Sequence, residues 1–288
     1  MQKLLSVYKP QGLTPLEVVN LVKEKFPEYK NAKIGYAGRL DPLAHGVLLL
    51  MIGDATKEKD KYLNLPKEYE FEAVFGVSTD TYDVLGMLVS SRATEGSRGI
   101  SYHKAALKRS LRSSADSVGM TKEIQSFIKS KLGKQIQIYP TFSSKTVQGK
   151  PLFWWARNNK LSEIQIPQRE IEIYDFKLLE IKEISAAKLK KEIFRQIALV
   201  TGDFRQEQIK NTWNTLFTKD QRPASPAGRL KTNSRFLTAK LKISCSSGTY
   251  VRSIVNELGN RLNSGAITID ILRTKVGKYV LENSIKLT

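Results

Sequence analysis

Apolar and polar positions alternate along Lys67–Phe75, with Tyr69, Phe71, Ala73 and Phe75 on one face and Glu68, Glu70 and Glu72 on the other. A period of two is the mark of a half-buried strand. A second alternating run, Leu237, Ala239, Leu241, Ile243 and Cys245, stops at Ser246-Ser247-Gly248. Beyond it Val251, Ile254, Val255 and Leu258 recur at helical spacing and predict an amphipathic helix. Strand patterning is also present at residues 3–8, 171–181 and near 267–279, and the apolar run 46–53 reads as a buried strand or a helical turn. Lys9-Pro10-Gln11-Gly12 reads as a turn, and Thr14-Pro15-Leu16-Glu17 as a capping box with proline at the first helical position, opening a helix to about Phe26. Residues 185–200 form a basic amphipathic helix pattern. There are no internal repeats. Strands interspersed irregularly with helices, several joined by tight turns, predict an α+β fold rather than a doubly wound parallel sheet.

Charge changes the picture more than composition does. The 288 residues carry Lys and Arg 47 against Asp and Glu 28, a formal net charge of +19. An excess of this size points to a polyanionic partner, nucleic acid above all. Much of it falls in two polar stretches expected to be peripheral and RNA-facing. Residues 90–134 carry Arg109, Arg112, Lys122, Lys129, Lys131 and Lys134 on predicted helices, with a Gly/Ser/Arg-rich connector around 94–99. Residues 185–234 end in a predicted loop at 221–234 that holds two prolines and a glycine. The single cysteine, Cys245, excludes an internal disulfide and a Cys-based zinc site, and His45 and His103 stand apart, so no metal or other cofactor is expected. The N-terminus lacks the pattern of a secretory signal, no apolar run is long enough to span a membrane, and a cytoplasmic location is expected. A chain of this length buries its own core, so a monomer without an obligate protein partner is the default.

The densest cluster of chemistry-bearing residues is Gly35-Tyr36-Ala37-Gly38-Arg39-Leu40-Asp41-Pro42, followed by Leu43-Ala44-His45-Gly46-Val47. Two glycines make a tight backbone just ahead of a carboxylate. Locally this has two readings, a catalytic Asp41 or an aspartate N-cap with proline at the first helical position, and spacing leaves both open.

An ordered series of segments runs from this region through the chain: Lys9-Pro10-Gln11-Gly12-Leu13-Thr14, the Gly-Arg-Leu-Asp-Pro segment with Gly46-Val47-Leu48, Gly53-Asp54-Ala55-Thr56-Lys57, Lys67-Glu68-Tyr69, Gly76 with Thr79-Asp80-Thr81-Tyr82-Asp83, residues 140–149, residues 245–252 and Ile271-Leu272-Arg273. The series resembles the TruB-type tRNA pseudouridine synthases. The resemblance implies a mixed, largely antiparallel central sheet with flanking helices and a basic RNA-binding cleft. It also implies isomerisation of a uridine, uridine 55 in the T-arm loop of tRNA, without a cofactor. Asp41 falls on the family's catalytic aspartate, Arg252 on the arginine paired with it, and Tyr69 on the tyrosine that stacks on the target base. Tyr250 and Leu272 fall on residues lining the base pocket, and Tyr36 and Lys9 are expected on the RNA side.

The chemistry suits these residue types. The N-glycosidic bond breaks, the uracil turns and C5 joins the sugar, so no electrons leave; a carboxylate can act as nucleophile or as base. The base must leave its stack and be held between aromatic and apolar walls. Each residue also has a plainer reading. Tyr69 would be a core strand residue, Tyr250 and Arg252 ordinary surface at a helix start, and Lys9 and Lys57 phosphate contacts or solvated lysines. Asp80 and Asp83 read as a satisfied turn, Trp154 and Trp155 as helix packing or base stacking, and Cys245 as a buried thiol.

The chain departs from the family at Tyr36, where histidine is usual, at Arg39, where a small or hydroxyl residue is usual, and at Ser247, where lysine is usual. A C-terminal PUA domain is common in the family; none is expected after Tyr279, so residues 1–288 are expected to form one catalytic domain with basic insertions at 90–134 and 185–234. The alternatives are a non-catalytic RNA-binding or chaperone protein on the same fold, and a synthase acting on another RNA.

Overall fold

The computed structural model describes residues 3–89, 114–217 and 234–287. The connector around 94–99, Arg109, Arg112 and nearly all of the 221–234 loop lie outside the described residues. The chain opens with β1 (Leu4–Lys9), α1 (Pro15–Lys25), β2 (Ile34–Tyr36), β3 (His45–Ile52), α2 (Lys59–Leu63) and β4 (Lys67–Phe75). It continues with α3 (Ser114–Ser130), β5 (Gly133–Ile138), a small hairpin of β6 (Thr146–Val147) and β7 (Lys150–Pro151), and α4 (Leu152–Arg157). The long β8 (Gln168–Ser185), α5 (Ala186–Leu199) and α6 (Gln206–Phe217) follow, and β9 (Arg235–Cys245), α7 (Val251–Arg261), β10 (Ala266–Val276) and β11 (Tyr279–Val280) complete the order.

Nine of the described strands form one sheet in the order β1-β3-β10-β4-β9-β8-β5, with β2 on β3 and β11 on β10. Each pairing is antiparallel except β3 with β10, where Leu272 lies opposite His45 and Arg273 opposite Gly46. The α+β expectation and the mixed, largely antiparallel sheet both hold.

Local signals placed these elements well. Thr14 accepts from the Glu17 amide at 3.3 Å while the Glu17 carboxylate accepts from the Thr14 amide at 2.6 Å. This reciprocal pair satisfies donors that the first turn of α1 leaves orphaned. The alternation along β4 breaks near its end, where Ala73, Val74 and Phe75 are all buried. The reason is that helices cover both faces of the sheet. Phe71, Ala73 and Phe75 pack with α3 and α7, whereas Val74 packs with α5 and α6. A strand covered twice no longer needs a polar face.

Those helices correct the expectation that the basic segments are peripheral. Helix α3 buries Ile124, Phe127 and Ile128 in the core; α5 buries Leu189, Ile193 and Ile197, and α6 buries Ile209, Trp213 and Leu216. Each is amphipathic, so its charge marks the outer stripe of a core helix. Lys134 sits on β5 rather than on a helix, 3.5 Å from Glu170, and Lys131 pairs with Glu257. Cys245 is fully buried, and burial pushes its thiol up to about 11, as a structural cysteine requires.

Gly46 is where the parallel pair comes closest. Its φ is +105°, and a Cβ there would lie 2.3 Å from the Arg273 carbonyl oxygen. Both the backbone conformation and the space exclude a side chain. Gly46→Ala should therefore lower stability by about 3 kcal/mol or more, read from urea unfolding, and an unchanged midpoint would contradict this close approach.

Candidate active site

Asp41 lies in the segment between β2 and β3. No helix begins there: Ala44 donates to the Asp41 carbonyl at 3.1 Å in an isolated turn. The helix-capping reading of Asp41-Pro42 is thereby removed.

Two buried cations hold the segment by its carbonyls. Arg273, on β10, donates from Nε to Val47 O at 2.7 Å and reaches Gly38 O at 3.3 Å and Arg39 O at 3.4 Å. Lys9, at the end of β1, donates to Pro10 O and Pro42 O at 3.0 Å and to Ala44 O at 2.5 Å. The turn that presents Asp41 is thus gripped on both sides. These backbone oxygens accept hydrogen bonds from the two charged donors, which also makes burial of those charges tolerable.

This corrects the expectation for Lys9, which is fully buried with all three N–H groups committed inside the protein. It is neither a phosphate contact nor a solvated lysine. Burial draws its pKa down to about 7 against the pull of Asp41, and the three carbonyls favour the ammonium.

The Asp41 carboxylate emerges from this clamp with 39% of its side chain exposed, and its Oδ2 accepts from Arg252 Nε at 2.8 Å. Arg252, at the second position of α7, is 4% exposed. The plain reading of Arg252 as surface at a helix start therefore fails. Its guanidinium donates to Thr81 O at 2.5 Å and Phe142 O at 3.3 Å and lies 3.6 Å from Asp83 Oδ2. One planar fork ties together the Asp41 turn, the 79–85 turn and the segment before β6. Burial opposes the charge on Arg252, but Asp41 and Asp83 outweigh it and raise its pKa.

Asp83 supports the arrangement from below. Its Oδ1 accepts from Thr81 Oγ1 at 2.6 Å and from the Leu85 amide at 2.9 Å. The turn reading of Asp83 is right, and the residue also faces Arg252. Burial, with Asp41 adding to it, pushes the Asp83 carboxyl up to about 6 despite Arg252 and Thr81. Between the usual carboxylate range and about 6 the folded protein therefore holds a proton that the unfolded chain has released. This contribution favours folding at low pH and is lost as pH rises through that window. The stability difference between wild type and Asp83→Asn should accordingly fall by about 2 kcal/mol from pH 3.5 to pH 7, measured by urea titration; a flat difference would reject the assignment.

Aromatic groups frame the carboxylate. Tyr69, on β4, is half-buried and pairs in register with Arg273; burial raises its pKa, with Arg273 opposing. Tyr250 caps the start of α7, where its amide donates to Gln137 Oε1 at 2.8 Å and its ring meets Tyr139 edge-on at 5.6 Å. Burial raises the Tyr250 pKa as well, and Asp41 adds to the effect. Neither phenol is poised to ionise near neutrality, so both present neutral rings.

Leu272 is the second correction. It pairs with Glu70, whereas its neighbours Ile271 and Arg273 pair with Phe71 and Tyr69. Since side chains alternate across a strand, Leu272 shares the face of Glu70, away from Tyr69. Ile271 instead packs in the cluster that holds Leu40 and Ala44. Ile271, not Leu272, shares the Tyr69 face of the sheet. A one-residue error moves a strand residue to the wrong side of the sheet.

Tyr36 lies opposite Leu50 and packs against the cluster beneath α1. Lys57 is a solvated lysine, 79% exposed and paired with Asp54 at 2.6 Å. Asp80 accepts from the Met87 amide at 2.9 Å and pairs with Arg205 at 2.9 Å. Trp155 is buried and donates to Val147 O at 3.2 Å, and the Trp154 ring lies under the Lys150 ammonium at 3.7 Å.

Sequence reasoning gave no role to Arg273 or Phe142 O, and read Asp83 only as part of a turn. Arg273 had a signal: an arginine in a strand patterned for burial has to find acceptors inside.

Residues 25–113 and 100–194 match the family described as TruB family pseudouridylate synthase (N terminal domain). The chain is 31% identical over 287 residues to tRNA pseudouridine synthase B of Clostridium novyi, covering 100% of this chain and 71% of that protein. Its counterpart in Clostridium tetani is 29% identical, with 100% and 72% covered. Among solved structures, a chain of a Cbf5-Nop10-Gar1 complex superposes with a TM-score of 0.52 at 19% identity, over 99% of this chain and 52% of that one, and shares the fold.

Proposed function

Since the chain belongs to the TruB family of pseudouridylate synthases, we propose that it isomerises a uridine of tRNA to pseudouridine, at position 55 of the T-arm loop, with Asp41 as the catalytic carboxylate. The observation that carries the reading is the Asp41–Arg252 pair at 2.8 Å, with a buried arginine and a carboxylate still open to solvent. Asp41 Oδ1 has no hydrogen-bond partner among the described residues. Arg252 thus fixes one oxygen and leaves the other for the nucleotide.

The reaction needs little else from the protein. The uridine N1–C1′ bond breaks, C5 bonds to C1′, and the hydrogen on C5 leaves as N1 gains one, so the product is an isomer. Asp41 supplies the negatively charged oxygen, and Arg252 keeps it ionised and oriented. The extruded base is held between the Tyr69 ring and the wall formed by Tyr250 and Ile271. The net charge of +19 draws the RNA backbone to the cleft.

The test is release of tritium from C5-labelled uridine in transcribed tRNA. Release is expected from intact tRNA and is abolished when the T-loop uridine is replaced by cytidine. Release that persists after this replacement would move the target elsewhere. No release from tRNA or from total RNA would leave an RNA-binding protein that performs no isomerisation.

A further inference from the structure

The connector between α5 and α6, residues 200–205, ends on a residue with two partners in the framework of the Asp41 site. Arg205 holds a left-handed backbone, with φ of +61°, a conformation that a residue other than glycine keeps only where its surroundings impose it. Here the connector is pinned at several points. The Arg205 amide donates to Asp203 Oδ1 at 3.3 Å, and Arg157, at the end of α4, donates to Asp203 O at 2.7 Å. Thr201 donates to Glu17 Oε1, on α1, at 2.8 Å.

The side chain of Arg205 then meets two segments at once. Its guanidinium forks onto Asp80, Nη1 to Oδ2 at 2.9 Å and Nη2 to Oδ1 at 3.4 Å, with the two side chains only 14% and 18% exposed. It also lies over the Phe142 ring, 4.4 Å from the centroid. Asp80 belongs to the turn that carries Thr81, and its Oδ1 closes that turn by accepting from the Met87 amide at 2.9 Å. Phe142 belongs to the segment before β6. The backbone oxygens of these same two segments, Thr81 O at 2.5 Å and Phe142 O at 3.3 Å, are the carbonyl acceptors of the Arg252 guanidinium.

We infer that Arg205 is a positioning residue for the isomerisation: by tying Asp80 to the Phe142 ring it sets the spacing of Thr81 O and Phe142 O, and through them the angle at which Arg252 holds Asp41. This rests on the Asp41–Arg252 reading and extends it to a connector outside the site. A planar guanidinium that forks onto a carboxylate and stacks on a ring fixes angle as well as distance. Among the described residues Asp80 has no other ion pair, so nothing else joins the two segments in this way. Displacing a reacting group by about 1 Å costs roughly 10²-fold in rate. A loosened brace is therefore felt in turnover, while the surface that meets the RNA is unchanged.

The experiment compares Arg205→Met and Phe142→Leu with wild type in the full chain. Methionine keeps much of the bulk of Arg205 but neither its charge nor its plane; leucine removes the ring and keeps both the Phe142 carbonyl and the Asp80–Arg205 pair. Each should slow single-turnover C5 hydrogen release at saturating tRNA by at least about tenfold, with tRNA affinity within about twofold. The double variant should be no slower than the slower single one, because the two side chains act as a unit. Ile193→Val, which loosens the buried face of α5 away from these contacts, should keep the wild-type rate. The NMR signal of the Arg252 Nε–H group, identified by its loss in Arg252→Lys, reports the same geometry without turnover and should shift in both variants. An unmoved signal, a wild-type rate in Arg205→Met, or losses that multiply in the double variant overturns the inference. Should Arg205→Met fail to fold, Phe142→Leu decides by the same readouts. A wild type that releases no hydrogen counts against the isomerase reading instead, and the Arg252 signal then decides this inference by itself.

Discussion

Asp41→Asn should reduce C5 hydrogen release by roughly 10⁴-fold or more while leaving tRNA affinity within about twofold. Asparagine keeps the shape of the side chain and one acceptor for Arg252 Nε, so the clamp made by Arg273 and Lys9 on the surrounding carbonyls is undisturbed. What disappears is the negative charge that has to meet the sugar or the ring. Single-turnover release and filter binding on the same preparation separate the two effects. Release within tenfold of wild type would show that this carboxylate is not the reacting group.

Arg252→Met should be the most damaging single change to the structure and a severe one for catalysis. Methionine fills similar volume but leaves Asp83 buried without its cation and leaves Thr81 O and Phe142 O without a donor. Breaking one side of a buried pair costs about 3–5 kcal/mol, visible as a shifted urea midpoint. Arg252→Lys separates charge from geometry. It restores a cation but cannot reach Asp41, Thr81 and Phe142 at once, so most of the stability should return while turnover stays at least about 100-fold down. If lysine restores both equally, Arg252 acts only as a charge.

Period and capping made most of the fold legible in the chain itself. The capping box at Thr14, the alternation of β9 and the helical stripe of α7 each encode a local choice that tertiary contacts then reinforce. Polarity misled where an amphipathic helix carries its charge on the outside, as in α3 and α5, because composition averages over faces that packing separates. In the site, Asp41 and Arg252 were legible through resemblance, and their contact at 2.8 Å agrees with it. Leu272 was misplaced because a bulged strand does not reveal which of two adjacent apolar residues faces the cleft; register shifts flank it on β10. Lys9 and Arg273 were opaque for another reason. A cation that grips carbonyls inside the protein looks, in one dimension, like one that meets a phosphate.

The parallel pairing of β3 with β10 joins residues near 45 to residues near 272. Contacts so distant along the chain form late in folding and, on a ribosome, cannot form until residues near 272 have emerged. Asp41 is made early, but the guanidinium of Arg252 follows it by 211 residues and that of Arg273 comes later still. A chain cut short ahead of α7 would carry the carboxylate with nothing to aim it, able to cling to RNA through its lysines but unable to alter a base.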